Sequence, residues 1–263
     1  MAQYTVAGDF INYKEDFNNT KKTVKKTLVL YVFHQYNDRV KHFIKNAIFK
    51  STTVDFLIIC NSHEIDFTAP SYVRIIKRAN IGYDFGAWSD ALLINELYKN
   101  YSHFIFANSS IIGPFLPYYF IGKWTDMYIN GLNDDVKLFG STINTYNEPI
   151  TTTHVQSYIF AMDYDTLVYL IDSGIFSLDY VTTFDDAIWK KEVLMSRKII
   201  DNGWNIDCLH NYYKGVDFRF KNKKPSDYNI KFTDDFMYQS HYDNKTWTPQ
   251  ELVFIKGNRI NLS

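Results

Sequence analysis

An α/β fold, with a mostly parallel central sheet flanked by helices, is predicted by three features of this 263-residue chain. Continuous apolar runs of strand length alternate with helix-length periodic segments, the order that makes strands parallel and their crossovers right-handed. A glycine-punctuated polar turn, Arg78-Ala-Asn-Ile-Gly-Tyr-Asp-Phe-Gly-Ala-Trp88, lies between one such run and a helix. A further run, His103-Phe-Ile-Phe-Ala, ends on the small polar residues Asn108, Ser109 and Ser110. In parallel sheets the carboxyl ends of strands border a crevice where ligands bind, and both features belong there.

The elements follow in order. Residues 1–26 are polar and without period, an N-terminal arm; residues 27–263 read as a single domain, with no internal repeat or low-complexity linker. Thr27 to Phe33 is a continuous apolar run and reads as a strand buried on both faces. Arg39 to Phe49 reads as a helix, Val54 to Cys60 as a second buried strand and Tyr72 to Lys77 as a third. A helix from Asp84 to Lys99 and a strand from His103 to Ala107 follow. The second half is less regular: Lys137–Thr142 and Ser157–Met162 look like strands of the same sheet, with helices at Tyr164–Ser173 and Thr183–Asn202, the latter stopped by Gly203. Leu252 to Lys256 reads as a last apolar strand.

Bulk composition narrows the partners. The 28 basic and 29 acidic residues leave a net charge of −1, which gives no field for capturing a polyanion and argues against nucleic acid. The lysines at 21, 22, 25 and 26 form a local basic cluster that reads as a solvated face. Aromatic content is high at 18%, with 21 Tyr and 21 Phe, enough to fill a core and leave rings for a groove that stacks on the flat C–H faces of sugars. Cys60 and Cys208 have no metal or disulfide spacing. No secretion-type apolar leader and no transmembrane run is present, so a soluble, cytoplasmic protein is expected.

Five groups of residues carry candidate chemistry. In the turn Asn80-Ile-Gly82-Tyr-Asp84-Phe-Gly86 the glycines permit close backbone approach, while Asp84 is placed to cap the helix and offer an oxygen to a ribose hydroxyl. A capped turn without ligand is the plainer alternative. Asn108, Ser109 and Ser110 offer small polar groups at a strand end, suited to phosphate or sugar oxygens or to a simple Asx turn. On the helix from Thr183, with Asp186 completing a capping-box pattern, Ile188, Met195 and Ile199 form a stripe beside Trp189, Val193 and Ile200. Glu192 and Ser196 fall within that face, and Lys190, Lys191, Arg197 and Lys198 opposite it. A carboxylate facing a core needs a partner or a chemical role, and burial would raise its pKa toward that of a general base. Lys256 and Arg259 place two cations where a diphosphate could be neutralised. His154, Gln156 and Ser157 precede a strand with polar groups aimed at the sheet edge.

In order and spacing these pieces resemble the rhamnan synthesis protein F group of glycosyltransferases, from about Thr27 to Arg259. The likeness rests on Asn80-x-Gly82-x-Asp84-x-Gly86, Asn108-Ser109-Ser110 with Gly113-Pro114, and His154-x-Gln156-Ser157-Tyr158. To these it adds Glu192 eleven residues before Gly203, and Phe254-x-Lys256-x-x-Arg259. The resemblance implies a GT-A-like, Rossmann-type sheet, a nucleotide-sugar donor and a glycan or glycoconjugate acceptor. It implies that His34, Tyr36, Asn61, Asn80, Gly82, Asp84, Asn108, Ser109, Ser110, Lys256 and Arg259 hold the donor, and that His154, Gln156 and Ser157 serve the acceptor sugar. Glu192 falls where inverting enzymes of this fold carry the base, and the sugar transferred would be rhamnose or another hexose.

One departure bears on cofactors. The Asp-x-Asp run that anchors a divalent cation is replaced by Asn108-Ser109-Ser110, and neutral ligands hold Mg²⁺ or Mn²⁺ poorly. Either Asp84 or His241 completes a metal site, or Lys256 and Arg259 stabilise the leaving diphosphate unaided. The missing carboxylates also favour the main rival, a non-catalytic sugar- or nucleotide-binding module on the same fold. A nucleotidyltransferase would want a Gly-rich basic loop after the first strand, and Phe33-His-Gln-Tyr-Asn-Asp38 offers none. The stretch Phe115 to Phe120 is assigned either to an acceptor groove or to core packing.

Overall fold

The computed structural model describes residues 26–146, 148–232 and 247–258. Within them the first half builds β1 (Thr27–Phe33), α1 (Asp38–Asn46), β2 (Val54–Cys60), β3 (Arg74–Lys77), α2 (Tyr83–Leu93) and β4 (His103–Asn108). After β5 (Ile111–Ile112) and α3 (Trp124–Ile129) come β6 (Val136–Gly140), β7 (Ile143–Asn144), β8 (His154–Val155), β9 (Ile159–Asp163) and α4 (Tyr164–Asp172). A long helix then runs as α5 (Phe184–Ala187), a π-helical turn (Ile188–Val193) and α6 (Leu194–Asp201). β10 (Asn205–Cys208), α7 (Pro249–Leu252) and β11 (Ile255–Lys256) complete the described set. No helix among the described residues is long and apolar enough to cross a membrane.

The central sheet has seven strands in the order β10-β6-β9-β4-β1-β2-β3. All adjacent pairs are parallel except those made by β9, which runs antiparallel to both β4 and β6. The mostly parallel α/β sheet expected from the sequence is therefore present. From β1 the chain proceeds outward through β2 to β3, then returns to place β4 on the other side of β1. That reversal leaves a crevice beyond the carboxyl ends of β1 and β4, at the switch point of the sheet.

Both faces of the sheet are covered, which is why β1, β2 and β4 read as unbroken apolar runs. Alternate residues of β1 enter opposite cores. Leu28, Leu30 and Val32 pack with Trp88 and Leu92 of α2 and Met195 and Ile199 of α6. Val29, Tyr31 and Phe33 pack with Val40 and Phe43 of α1, Trp124 and Tyr128 of α3, and Phe254. Much of the aromatic content is spent here: Trp88 meets Phe106 edge-on at 5.4 Å, and Phe106 stacks on Phe160 at 4.8 Å.

Several expected boundaries shift for identifiable reasons. The helix expected over Asp84–Lys99 ends at Leu93, and a separate 3-10 turn covers Leu97–Asn100 beyond a left-handed Glu96. Asp84 does not cap α2; the N-cap is Gly82 at φ 73°, with no side-chain cap bond. Leu252–Lys256 is not one strand, because Val253 takes φ 63° between α7 and the two-residue β11. β10 carries Asn205 and Asp207 and shows too little apolar pattern to be recognised beforehand.

The turn before α2 is held by a buried guanidinium. Arg78, 7% exposed, donates from Nε to Asp90 Oδ2 at 2.6 Å, from Nη1 to Asn61 Oδ1 at 2.9 Å and from Nη2 to the Ile81 carbonyl at 2.8 Å. Tyr180 donates its hydroxyl to the second Asp90 oxygen and lays its ring over the Arg78 guanidinium. The same tyrosine abuts Gly82, where a Cβ would come within 2.9 Å of its side chain, and a Cβ at Gly86 would collide with the Ile81 carbonyl. These glycines thus serve packing within the chain as well as the left-handed backbone at Gly82. Replacing Arg78 by Met is expected to cost about 3–5 kcal/mol, because it strands the Asp90 carboxylate in the interior. Urea unfolding of the two proteins measures this; a midpoint unchanged from the parent would refute it.

Candidate active site

The crevice at the switch point is a cleft of about 630 Å³. Sheet topology delivers its parts from distant stretches of sequence. His34 follows β1, Asn80 and Asp84 belong to the turn and first turn of α2, and Asn108 ends β4 with Ser109 and Ser110 after it. The two small antiparallel ribbons build the remaining walls. Pairing of β11 with β5 sets Lys256 opposite Ile111, and pairing of β7 with β8 sets Asn144 opposite His154. Gln156, Ser157 and Glu192 close the far side.

Eleven of the residues singled out from the sequence line this one cleft: His34, Asn80, Asp84, Asn108, Ser109, Ser110, His154, Gln156, Ser157, Glu192 and Lys256. Tyr36 does not line it; its ring packs near Phe33 and Phe67, with the Lys41 ammonium above it. Asn61 is buried behind the wall, accepting from Arg78 and donating Nδ2 to Asn80 Oδ1 at 3.2 Å, so it acts on the cleft through Asn80. Gly82 shapes the turn without lining the cleft. Arg259 and His241 lie outside the described residues. The Phe115–Phe120 stretch lines no part of the cleft, and Tyr118 and Tyr119 are exposed.

The strand-end turn is tied down from three sides. Asn108 Oδ1 accepts from the Ser110 N–H at 3.0 Å, which fixes the amide orientation and turns Nδ2 toward Asp84 Oδ2 at 2.9 Å. The Ser109 carbonyl accepts from Arg39 Nε at 3.1 Å, and the Ser110 carbonyl accepts from the Gly257 N–H at 2.7 Å. Arg39, not anticipated from the sequence, therefore belongs to the cleft along with Lys256, whose ammonium sits 5.6 Å from the centre of the buried Tyr158 ring. The sequence signal for Arg39 was available: a cation in the first turn of the helix that follows the first strand.

Glu192 is half-buried and faces the cleft, with Oε1 accepting the Ser157 N–H at 2.7 Å. The helix that carries it departs from the face expected at 3.6 residues per turn. Trp189 is 51% exposed where core packing was expected, and Lys191 is buried where a solvated face was expected. The π-helical turn explains both corrections: its i→i+5 bonding holds one more residue, changing the phase between α5 and α6 by roughly 100°. Lys191 consequently points inward and donates Nζ to the carbonyls of Gly174 and Ile175, each at 2.9 Å. Ser196, as expected, is buried, and its hydroxyl accepts the Val155 N–H.

Charges of both signs line the cleft. Burial, reinforced by the nearby Glu192 charge, pushes the Asp84 carboxyl up to about 6, against the opposing hydrogen bond from Asn108. Burial lowers the His154 pKa, and the ring Nδ1 sits 2.7 Å from the Thr152 carbonyl. Arg39 and Lys256 supply positive charge on the side of Ser109 and Ser110. Among the described residues the donor set does not fit a divalent cation held by the protein alone. Asn108 presents an N–H to Asp84 in place of an oxygen to a metal, and no group of three His, Cys, Asp or Glu side chains converges among the described residues.

A protein-family model described as rhamnan synthesis protein F matches residues 57–233. Among solved structures the chain is similar to a mannosyltransferase, PcManGT from Pyrobaculum calidifontis in complex with GDP-Man and Mn2+. The TM-score is 0.44 at 9% identity, over 74% of this chain and 58% of that one, so less than two thirds of that protein's length is spanned. It is also similar to a glycosyltransferase involved in the glycosylation of the major capsid of PBCV-1, with a TM-score of 0.38 at 12% identity over 71% of this chain and 83% of that one. No curated protein matches the sequence.

The Asp84 environment has a pH signature. A carboxyl raised to about 6 in the folded chain, from 3.8 otherwise, binds its proton more tightly when folded. Its ionisation therefore costs stability progressively as pH rises from about 4 to about 6, and the cost persists above. Asp84→Asn should match the parent in melting temperature near pH 4 and exceed it from pH 6 upward. A difference that stays constant across that range in thermal melts would contradict the assignment.

Proposed function

The chain belongs to the rhamnan synthesis protein F family and has a GT-A-like α/β fold; from this premise we propose that it is a glycosyltransferase. On this reading it moves rhamnose or another hexose from a nucleoside diphosphate donor to a glycan. The observation that carries the reading is a single cleft lined by two cations, Arg39 and Lys256, and by the half-buried carboxylate of Glu192.

The diphosphate lies against Arg39 and Lys256, next to the small groups of Ser109 and Ser110, where no bulky side chain keeps the phosphates out. Asn80, held by Asn61, and Asp84 take ribose hydroxyls or the polar edge of the base, with His34 at the edge. Glu192, one oxygen fixed by the Ser157 N–H, receives the proton of the acceptor hydroxyl through the other. The acceptor oxygen bonds to the anomeric carbon as the bond from that carbon to the diphosphate breaks, giving inversion in a single in-line displacement. The negative charge that develops on the leaving nucleoside diphosphate falls on Arg39 and Lys256. Both are held beforehand, Arg39 by Ser109 and Lys256 by the Tyr158 ring, so little reorganisation is needed as charge builds. No step is routed through a divalent cation.

A non-catalytic binding module is the competing reading, favoured by the Asn108 amide standing where a metal-anchoring carboxylate is expected. Turnover separates the two. Glu192→Gln is expected to bind nucleoside diphosphates like the parent while lowering kcat for sugar transfer by about 10²–10⁴-fold. Arg39→Gln is expected to weaken nucleoside diphosphate binding by about ten- to a hundredfold, the loss of one charge-assisted contact. Transfer should persist in excess chelator. Full activity in Glu192→Gln, measured by released nucleoside diphosphate, would remove the base assignment.

A further inference from the structure

The loop between β5 and α3 presents an apolar tip that the rest of the described fold leaves uncovered. Its base is fixed. The Phe115 N–H donates to the Val253 carbonyl at 2.7 Å, and the Trp124 indole N–H donates to the Ala47 carbonyl at 2.8 Å. Phe115 and Leu116 pack against the core on the α1 side of the sheet. Between these anchors the chain turns at Pro117–Phe120, closed by the Phe120 N–H on the Pro117 carbonyl at 2.9 Å. The turn carries Tyr118 and Tyr119 outward, edge to face with ring centres 5.2 Å apart, and Ile121 follows. Tyr118 is 100% exposed, Tyr119 71% and Ile121 97%. Single apolar residues at a surface are ordinary; a braced turn that holds three of them together in water is not.

Lysines stand behind this tip. Lys123, two residues past Ile121, donates Nζ to Ser51 Oγ at 2.9 Å and Thr53 Oγ1 at 3.0 Å, 5.9 Å from the centre of the Phe49 ring. That contact brings the exposed Lys50 beside the base of the loop. Lys45, also exposed, lies in the last turn of α1, just before the Ala47 carbonyl that Trp124 holds. Residues 43–54 and 111–130 together contain these three lysines and one carboxylate, Asp126. Two tyrosines and an isoleucine offer roughly 500 Å², below the about 800 Å² that each side of a stable protein pair gives up. A bilayer surface needs only a few such side chains among its headgroups, where tyrosine keeps its ring in apolar surroundings and its hydroxyl wet.

We propose that the Tyr118–Ile121 tip, with Lys45, Lys50 and Lys123 behind it, docks the protein on the surface of an anionic lipid bilayer. The tyrosines and Ile121 enter the headgroup layer, and the lysines answer its negative charge. This surface is separate from the cleft. No residue of the tip lines the cleft, and the 47–53 loop precedes β2, at the amino ends of the strands. The docking therefore holds whether or not the cleft transfers sugars.

Co-sedimentation of the full chain with two kinds of vesicle tests this: phosphatidylcholine alone, and a mixture in which about a third of the lipid is phosphatidylglycerol. The parent should bind the anionic vesicles, more weakly as salt is raised. Tyr118→Ser combined with Ile121→Ser should lower that binding by about tenfold or more, with the melting temperature unchanged because both side chains already stand in water. Lys45→Gln with Lys50→Gln should lower it by about fivefold for each charge removed. A parent that stays in the supernatant with both vesicles would overturn the proposal. So would binding that does not distinguish the two lipids, or binding equal in the parent and the Tyr118→Ser, Ile121→Ser variant. If sedimentation equilibrium instead shows a dimer that this double substitution splits, the tip is a contact between copies and the bilayer proposal falls.

Discussion

The Arg78 guanidinium is the constraint on which the Asn80–Asp84 wall of the cleft depends. It is buried between β3 and α2 and spends its donors on the Asp90 carboxylate, the Asn61 amide and the Ile81 carbonyl. Each contact fixes a different piece: Asp90 fixes α2, Asn61 fixes the end of β2 and, through it, Asn80, and Ile81 fixes the turn itself. The planar fork of arginine suits this task, since its donors leave in set directions from one rigid group. A lysine could satisfy the charge but not the geometry. The buried pair is best understood as specifying one conformation of the turn, because an ion pair contributes little net stability once desolvation is counted.

A second anchor governs the other side. Lys191 reaches back to the carbonyls of Gly174 and Ile175, which begin the loop carrying Tyr180. Tyr180 in turn completes the Asp90 and Arg78 arrangement and fills the space left by Gly82. The helix bearing Glu192 and the turn bearing Asp84 are thereby joined by a continuous chain of contacts, though they lie about a hundred residues apart in sequence. The π-helical turn is central to this coupling: it buries the lysine, frees Trp189 and leaves Glu192 against the Ser157 N–H. Burial pulls the Lys191 pKa down, so the ammonium is held at some electrostatic cost, offset by the two carbonyls that receive its protons.

How much of this was legible in the sequence follows from how each part is stabilised. β1, β2 and β4 could be read directly because both sheet faces are covered and every residue in them is pushed to be apolar. β10, at the edge and carrying Asn205 and Asp207, lacks that pressure and left no pattern. The two-residue ribbons that deliver Lys256 and Asn144 are too short for any periodicity, so their partners are fixed only by three-dimensional register. Asp84 was rightly placed at the helix start, but its capping role was not, since Gly82 in left-handed backbone takes the cap position. Trp189 and Lys191 were misassigned because a wheel at 100° per residue assumes uniform α-helix, and the sequence carries no plain mark of the inserted π turn. Arg39 carried a sequence signal, its place in the first turn of the helix after β1, but the carbonyl that fixes it lies seventy residues away.

The near-neutral net charge gives this arrangement its meaning. A chain at −1 has no strong overall field, so the electrostatics of the cleft come from charges placed locally in it. Arg39, Lys256, Asp84 and Glu192 all line the cleft, and each has a fixed partner: Ser109, the Tyr158 ring, Asn108 and the Ser157 N–H. Charges tethered in this way are held from collapsing onto one another within the cleft. The Asn108 amide is the clearest case. By donating to Asp84 it stabilises a carboxylate that burial and Glu192 both oppose, a service that an aspartate at the same position could not perform without a metal between them. Asn108 and Arg39 are thus linked through one turn, the amide of the first fixing Asp84 and the carbonyl of Ser109 fixing the second.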